Sequence, residues 1–284
     1  MSVHAIPNQR IAIPSNSNKN TGEIPFCQYD RDKQKETLRS MNYEKKSELL
    51  NLIRRQHRGN DQKSLDAMVA VSASMITHMS NKGCKDLKDL ATNTLQFMRD
   101  QMGFESPANN RQLQKEIAKL NGSEVLARGV CIDCTDASKL FMELFTAASK
   151  ETPHLKNIKV NYVASFDVEW AETENLDHPT SVKGHSIVQI EDNGKKIYVD
   201  AQLFQTLGKE DPSDPIFKAV DLNGTFYKKT GDGPRKFQIF SISNSNIPTS
   251  ENQLWIQHVR AARENKENIE QRKTTWVGLE PMIF

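Results

Sequence analysis

Three residue types lying between Gly129 and Gln205 could together activate a nucleophile: cysteine, histidine and aspartate. Cys131 and Cys134 form a C-x-x-C pair, His185 follows Gly184, and Asp200 closes the run Lys196-Ile197-Tyr198-Val199-Asp200. A thiol attacks as the thiolate, an imidazole can take and return its proton, and a carboxylate can fix the imidazole's tautomer. That chemistry needs the three side chains in contact, which the elements that carry them must bring about.

Ala137, Leu140, Phe141, Leu144, Phe145 and Ala148 recur at i, i+3, i+4, i+7, i+8 and i+11, which predicts an amphipathic helix over 133–149. Cys134 sits one turn before Ala137 on the same stripe, at the start of the helix. Asp133 is the expected N-cap, with Asp136 at N3 as a variant capping box. First-turn amides and the helix dipole favour a thiolate there. Two adjacent aspartates oppose it, so an imidazolium is needed beside the sulfur. Taken alone, a cysteine on an apolar face is more often a small buried hydrophobe.

The run from Gly184 to Asp200 reads as a hairpin. Asn193-Gly194 suits a type I′ turn, so Lys195 should face Asp192, Val199 face Val188 and Asp200 face Ile187. His185 and Asp200 then lie diagonally on one sheet face, about 7–8 Å apart at Cα and within side-chain reach. The alternative is an exposed strand histidine and an unrelated strand-end aspartate.

These residues resemble the transglutaminase-like, papain-fold cysteine superfamily. The run from Cys134 to Ala147 is similar to its nucleophile helix, Gly184-His185 to its histidine motif, and Tyr198-Val199-Asp200 to its acid motif. The resemblance implies a papain-like core with Cys134 as acyl-accepting nucleophile, His185 as general base then acid, and Asp200 as orienter. Gly129-Val130-Cys131-Ile132-Asp133 also resembles the family's Gly-x-Cys-x-Asp entry. In the related glutamine-deamidase toxins the first cysteine of such a pair is the nucleophile, which makes Cys131 the alternative. The apolar stripe is in phase with Cys134. The Asp200-Ala201-Gln202 ending resembles the deamidase toxins more than the hydrolases. Gln202 or Gln205 could assist the imidazole, or be a solvated loop residue.

Asp167, Glu169, Glu172, Glu174 and Asp177 fall between Ser165 and Thr180 without a Lys or Arg, and Trp170 sits among them. A loop beside the catalytic histidine would border the substrate. The expectation is recognition of a basic protein surface by Glu169 and Glu172, with Trp170 as anchor; a solvated acidic loop is the competing reading. Cys131 and Cys134 could close a disulfide that silences the nucleophile, but a free, bystander Cys131 is the expected state.

The wider chain supplies the setting. Residues 1–30 are rich in Ser, Asn and Pro and read as a disordered leader. Residues 31–121 read as helical, through four segments: one containing Leu38, Met41, Leu49, Leu50 and Ile53, one from Leu65 to Ile76, one from Cys84 to Phe104, and a short one around Leu113, Ile117 and Leu120 that Gly122 should stop. The catalytic core is expected over 122–250, with strands at Ile158–Ala164, His185–Glu191, Lys195–Asp200 and Phe237–Ile242. A C-terminal helix and tail fill 251–284; its mixed charges are read as a solvated face. The fold class is α+β, a nucleophile helix packed on an antiparallel sheet and preceded by a helical region.

Composition narrows the function. Lys and Arg total 38 against 36 Asp and Glu, a net charge of +2, so no general field attracts nucleic acid or an anionic membrane. The apolar fraction of 37% and mean hydropathy of −0.65 fit a chain with solvated segments. No run approaches the roughly 20 apolar residues of a membrane span, and no secretory h-region opens the chain. Four scattered cysteines suit folding in a reducing cytoplasm, and export into a host cell without a cleaved signal is compatible with the leader. The dispersed histidines make no zinc motif, and no cofactor or metal is expected. The leading expectation is deamidation or transglutamination of a protein glutamine, in the manner of bacterial effectors and toxins. A cysteine peptidase on the same triad is the runner-up, and a binding module with a vestigial triad the non-enzymatic alternative.

Overall fold

The computed structural model describes residues 25–59, 61–79, 84–105, 116, 119–155, 158–169, 181–206, 216–217, 225–230, 233–243 and 275–276; for 164–169, 181–184, 206 and everything from 216 on, the description is of backbone alone. The leader expected over 1–30 lies outside these residues up to 24. From Pro25 the chain is helical in α1 (Pro25–Gln28), and Phe26 is buried. The helix expected over 254–271 and the segment around Leu113 and Ile117 also lie outside the described residues.

Side-chain caps start the next helices. Asp30 accepts from the Lys33 amide at 2.8 Å, Asn42 from Lys45 at 2.9 Å and Asp86 from Asp89 at 2.9 Å. Each satisfies an amide that the first turn leaves without an intrahelical partner. They open α2 (Arg31–Arg39), α3 (Tyr43–Gln56) and α5 (Leu87–Gln101), with α4 (Gln62–Thr77) between the last two. Leu38, Leu50, Ile53, Leu65, Met68, Val71, Met75, Ile76, Leu90, Leu95, Phe97 and Met98 are all buried.

The structure departs from the expected helix over Cys84–Phe104. The helix ends at Gln101, Met102 turns extended, and Gly103–Phe104 forms strand β1. β1 pairs in parallel with β2 (Val130–Cys131), aided by Gly103 N–H donating to Gly129 O at 2.8 Å and Glu105 N–H to Cys131 O at 3.0 Å. Gly122 likewise opens a helix instead of stopping one. Asn121 caps the Glu124 amide at 2.9 Å while the Glu124 carboxylate accepts from the Asn121 amide at 2.7 Å. This capping box starts α6 (Gly122–Arg128), which ends on Gly129 at φ 76, a left-handed cap that suits glycine. A Cβ at Gly122 would lie 2.5 Å from Lys139 O and 2.6 Å from Glu143 Cβ, so the glycine lets α6 lie directly on the next helix.

That next helix is α7 (Cys134–Glu151). It packs against α4, α5 and α6 on one side and against strands β3 (Lys159–Glu169) and β4 (Ser181–Asp192) on the other. Two-sided packing buries more than the predicted stripe, including Ser138, Lys139 and Asp136. One apolar cluster runs from Phe26 and the early helices through α7 to Val188, Ile190, Val199 and Phe204. The expected boundary at 121/122 therefore falls within a continuous core.

The main sheet has the order β6-β5-β4-β3-β8-β7, with β5 (Lys195–Val199), β6 (Ile216–Phe217), β7 (Thr225–Thr230) and β8 (Gly233–Ser243). All these pairs are antiparallel; β9 (Thr275–Trp276) adds to β4 in parallel. β3 and β4 extend well past the predicted strands, so residues 165–169 of the expected acidic loop are strand. The β4–β5 hairpin has the predicted register, Asp192↔Lys195 through Val188↔Val199, with Asn193 at φ 49 and Gly194 at φ 78 in the turn. A buried amide chain reinforces it: Asn161 Nδ2 donates to Gln189 Oε1 at 3.0 Å, and Gln189 Nε2 donates to Tyr198 OH at 2.9 Å. A one-residue slip would send these partners to the opposite face. The protein is thus α+β, a helical layer, a central helix and a largely antiparallel sheet. Among the described residues no helix is long and apolar enough to cross a membrane.

Candidate active site

Local structure fixes Cys134 at the first position of α7. The Gly129 turn and the short β1–β2 pairing hold the approach, and Asp133 adopts the extended cap conformation at φ −150 and ψ −176. Its carboxylate accepts the Asp136 amide at 2.9 Å and also the Thr135 amide. The Asp136 carboxylate does not complete the box on the cap residue; it accepts the Ile132 amide at 3.4 Å. The two aspartates thereby hold both sides of the bend that delivers the thiol.

His185 on β4 and Asp200, directly after β5, meet as the hairpin register requires: His185 Nε2 lies 3.0 Å from Asp200 Oδ2. Their side chains are 9% and 2% exposed, so the pair is shielded from bulk water. Leu203 N–H donates to Asp200 O at 3.1 Å, starting the 3₁₀ turn Ala201–Thr206 behind the acid. The Cys134 thiol is hydrogen-bonded to the imidazole of His185. Burial pulls the imidazole's pKa down. The Asp200 charge, the Cys134 sulfur and the hydrogen bonds to both outweigh it and hold the pKa well above the ordinary 6.5. The net effect favours the charged imidazolium beside the Cys134 sulfur.

Cys131 occupies a different environment. It is fully buried in β2, and burial, then the charges of Asp136 and Asp133, push its thiol well above the ordinary range. All four cysteines, Cys131 and Cys134 included, are free thiols.

A buried charge cluster lies beneath the helix start. Burial raises the Asp133 carboxyl pKa, and burial followed by the Asp133 charge raises that of Asp136 to about 7. Lys139, 1% exposed, is pulled below the usual ammonium range by burial despite both aspartates, and its Nζ donates to Leu120 O at 2.9 Å.

Sequence reasoning missed a second polar group at this site. Tyr162 OH is 2.5 Å from Ser186 Oγ, and Ser186 Oγ is 3.3 Å from Thr135 Oγ1. Ser138 Oγ donates to Ser186 O at 3.1 Å. The available signal was positional, since Thr135 follows Cys134 and Ser186 follows His185 in the chain.

Of the remaining predicted residues, Gln202 and Gln205 are half-buried in the 3₁₀ turn after Asp200. Glu169 ends β3, its backbone paired with Ser181 and Arg235. Trp170, Glu172, Glu174 and Asp177 lie outside the described residues. Among the described residues no group of three or more His, Cys, Asp and Glu side chains could hold a metal ion. Comparison of the chain with protein-family models, curated proteins and solved structures gives no match.

Proposed function

We propose that this protein is a cysteine acyltransferase or amidohydrolase with a papain-like core, acting on a protein glutamine through Cys134, His185 and Asp200. The observation that carries the reading is the shared imidazole: one ring bonded to the Cys134 thiol and held 3.0 Å from the Asp200 carboxylate. With Nε2 on the acid, Nδ1 is the nitrogen left to exchange a proton with sulfur. The thiolate attacks the carboxamide carbon, and the oxyanion draws on first-turn amides such as that of Cys134, which has no preceding turn to donate to. The imidazolium gives its proton to the departing ammonia, leaving a thioester. Water, deprotonated by the same imidazole, yields glutamate; a primary amine yields an isopeptide bond.

The test uses dimethylated casein as glutamine donor, with and without a primary amine, followed by ammonia release and intact mass. The reading expects ammonia with a gain of about one dalton per glutamine in water, or the amine adduct when amine is present. Cleaved casein without ammonia would transfer the same three residues to a peptidase. Active material from a Cys134→Ala variant would remove Cys134 from the reaction altogether.

A further inference from the structure

We propose that the hydroxyl groups of Tyr162, Ser186 and Thr135 lock the nucleophile helix in register with the histidine strand, which makes Tyr162 and Ser186 positioning residues for the Cys134–His185 pair. The inference rests on the reading of that pair as the reacting groups. Ser186 is the junction. Its Oγ meets Tyr162 OH of β3 at 2.5 Å and Thr135 Oγ1 of α7 at 3.3 Å, while its carbonyl accepts from Ser138 Oγ at 3.1 Å. Thr135 and Ser138 are three residues apart and share one face of α7. Two bonds one turn apart fix both the position and the rotation of the helix start against β4. The adjoining residues in each chain segment are Cys134 and His185 themselves.

The surroundings argue that the hydroxyls are there for a purpose other than adhesion. Elsewhere the sheet contributes apolar side chains to the core it shares with the helices, among them Val188, Ile190 and Val199. Apolar contact is non-directional and tolerates sliding; hydrogen bonds between fixed groups do not. Tyr162 is 3% exposed, and its phenol is held protonated by burial and then by the nearby Cys134 sulfur, so it remains a donor through neutral pH. A displacement of about 1 Å at a reacting centre costs on the order of a hundredfold in rate, which sets the value of the lock.

The experiment compares Tyr162→Phe, Ser186→Ala, Ser186→Thr and His185→Ala in the full chain, with iodoacetamide as the probe of Cys134 and nitrogen NMR of the imidazoles as the probe of His185. The His185 signal is the one lost in His185→Ala. Tyr162→Phe and Ser186→Ala should stay folded by circular dichroism, alkylate Cys134 at pH 7 about three- to tenfold more slowly, and titrate His185 closer to the ordinary imidazole value. Ser186→Thr, which keeps the hydroxyl, should restore both. Parent-like alkylation and titration in Tyr162→Phe and Ser186→Ala, alongside slowed alkylation in His185→Ala, would overturn the lock while leaving the pair intact. Parent-like alkylation in His185→Ala would instead bring down the pair on which the lock depends.

Discussion

His185 and Asp200 are fifteen residues apart in the chain, yet Nε2 of one lies 3.0 Å from Oδ2 of the other, both shielded by the core. The contact follows from a hairpin whose two-residue turn leaves no other register for its strands.

Replacing Asp200 with Asn removes the charge that most strongly favours the imidazolium. The His185 titration should move down toward 6.5, and turnover should fall by about 10²–10⁴-fold with the fold retained. The stability profile changes with it. A histidine whose folded pKa is raised contributes stability that is complete below its unfolded value and is lost as pH rises through the folded one. Urea midpoints of the parent should therefore decline on the alkaline side of 6.5, and those of Asp200→Asn should decline less.

Asp136 adds a second decline of the same sign at lower pH. Its carboxyl pKa is raised from 3.8 to about 7, so the folded state holds a proton that the unfolded chain releases. Its contribution is complete below about pH 4 and is lost as pH climbs toward 7. Asp136→Asn should flatten the urea midpoint across that window; an unchanged slope would show that Asp136 is not the titrating group.

Lys139 offsets the charge of the two aspartates. Lys139→Met would leave them without their buried cation, a cost of about 3–5 kcal/mol where both are ionised. Because Asp136 is neutral at low pH, the loss in stability should be larger at pH 8 than at pH 5, measured by denaturant titration at each.

Gly122 offers a test of packing alone. An alanine inside a helix normally adds up to about 1 kcal/mol, but here its Cβ would meet the Lys139 carbonyl at 2.5 Å. Gly122→Ala should cost about 1–3 kcal/mol and lower Tm by several degrees.

Much of the site could be read from local patterns. The Cys134 stripe needs only helical period, and the His185–Asp200 diagonal needs only Asn193-Gly194 and strand alternation. What escaped was tertiary. α6 is a seven-residue helix too short to show a period, and its capping box at Asn121 and Glu124 was the one local sign of it. β7, Thr-Phe-Tyr-Lys-Lys-Thr, carries no clean alternation of apolar and polar residues. The acidic composition after Ser165 suggested a loop, yet pairing on both sides keeps β3 extended to Glu169. Tyr162, Ser186 and Thr135 come from three elements, and no spacing along the chain announces that they meet. Lys139, on a helix surrounded on both sides, would pass for a surface residue until α6 is laid over it.

The most direct measurement is site-resolved alkylation of the four cysteines by iodoacetamide at neutral pH, read by peptide mass spectrometry in the parent and in His185→Ala. The account predicts that Cys134 reacts ahead of Cys131 and that its advantage disappears without the imidazole. Preferential labelling of Cys131, or labelling of Cys134 at the same rate in both proteins, would contradict it.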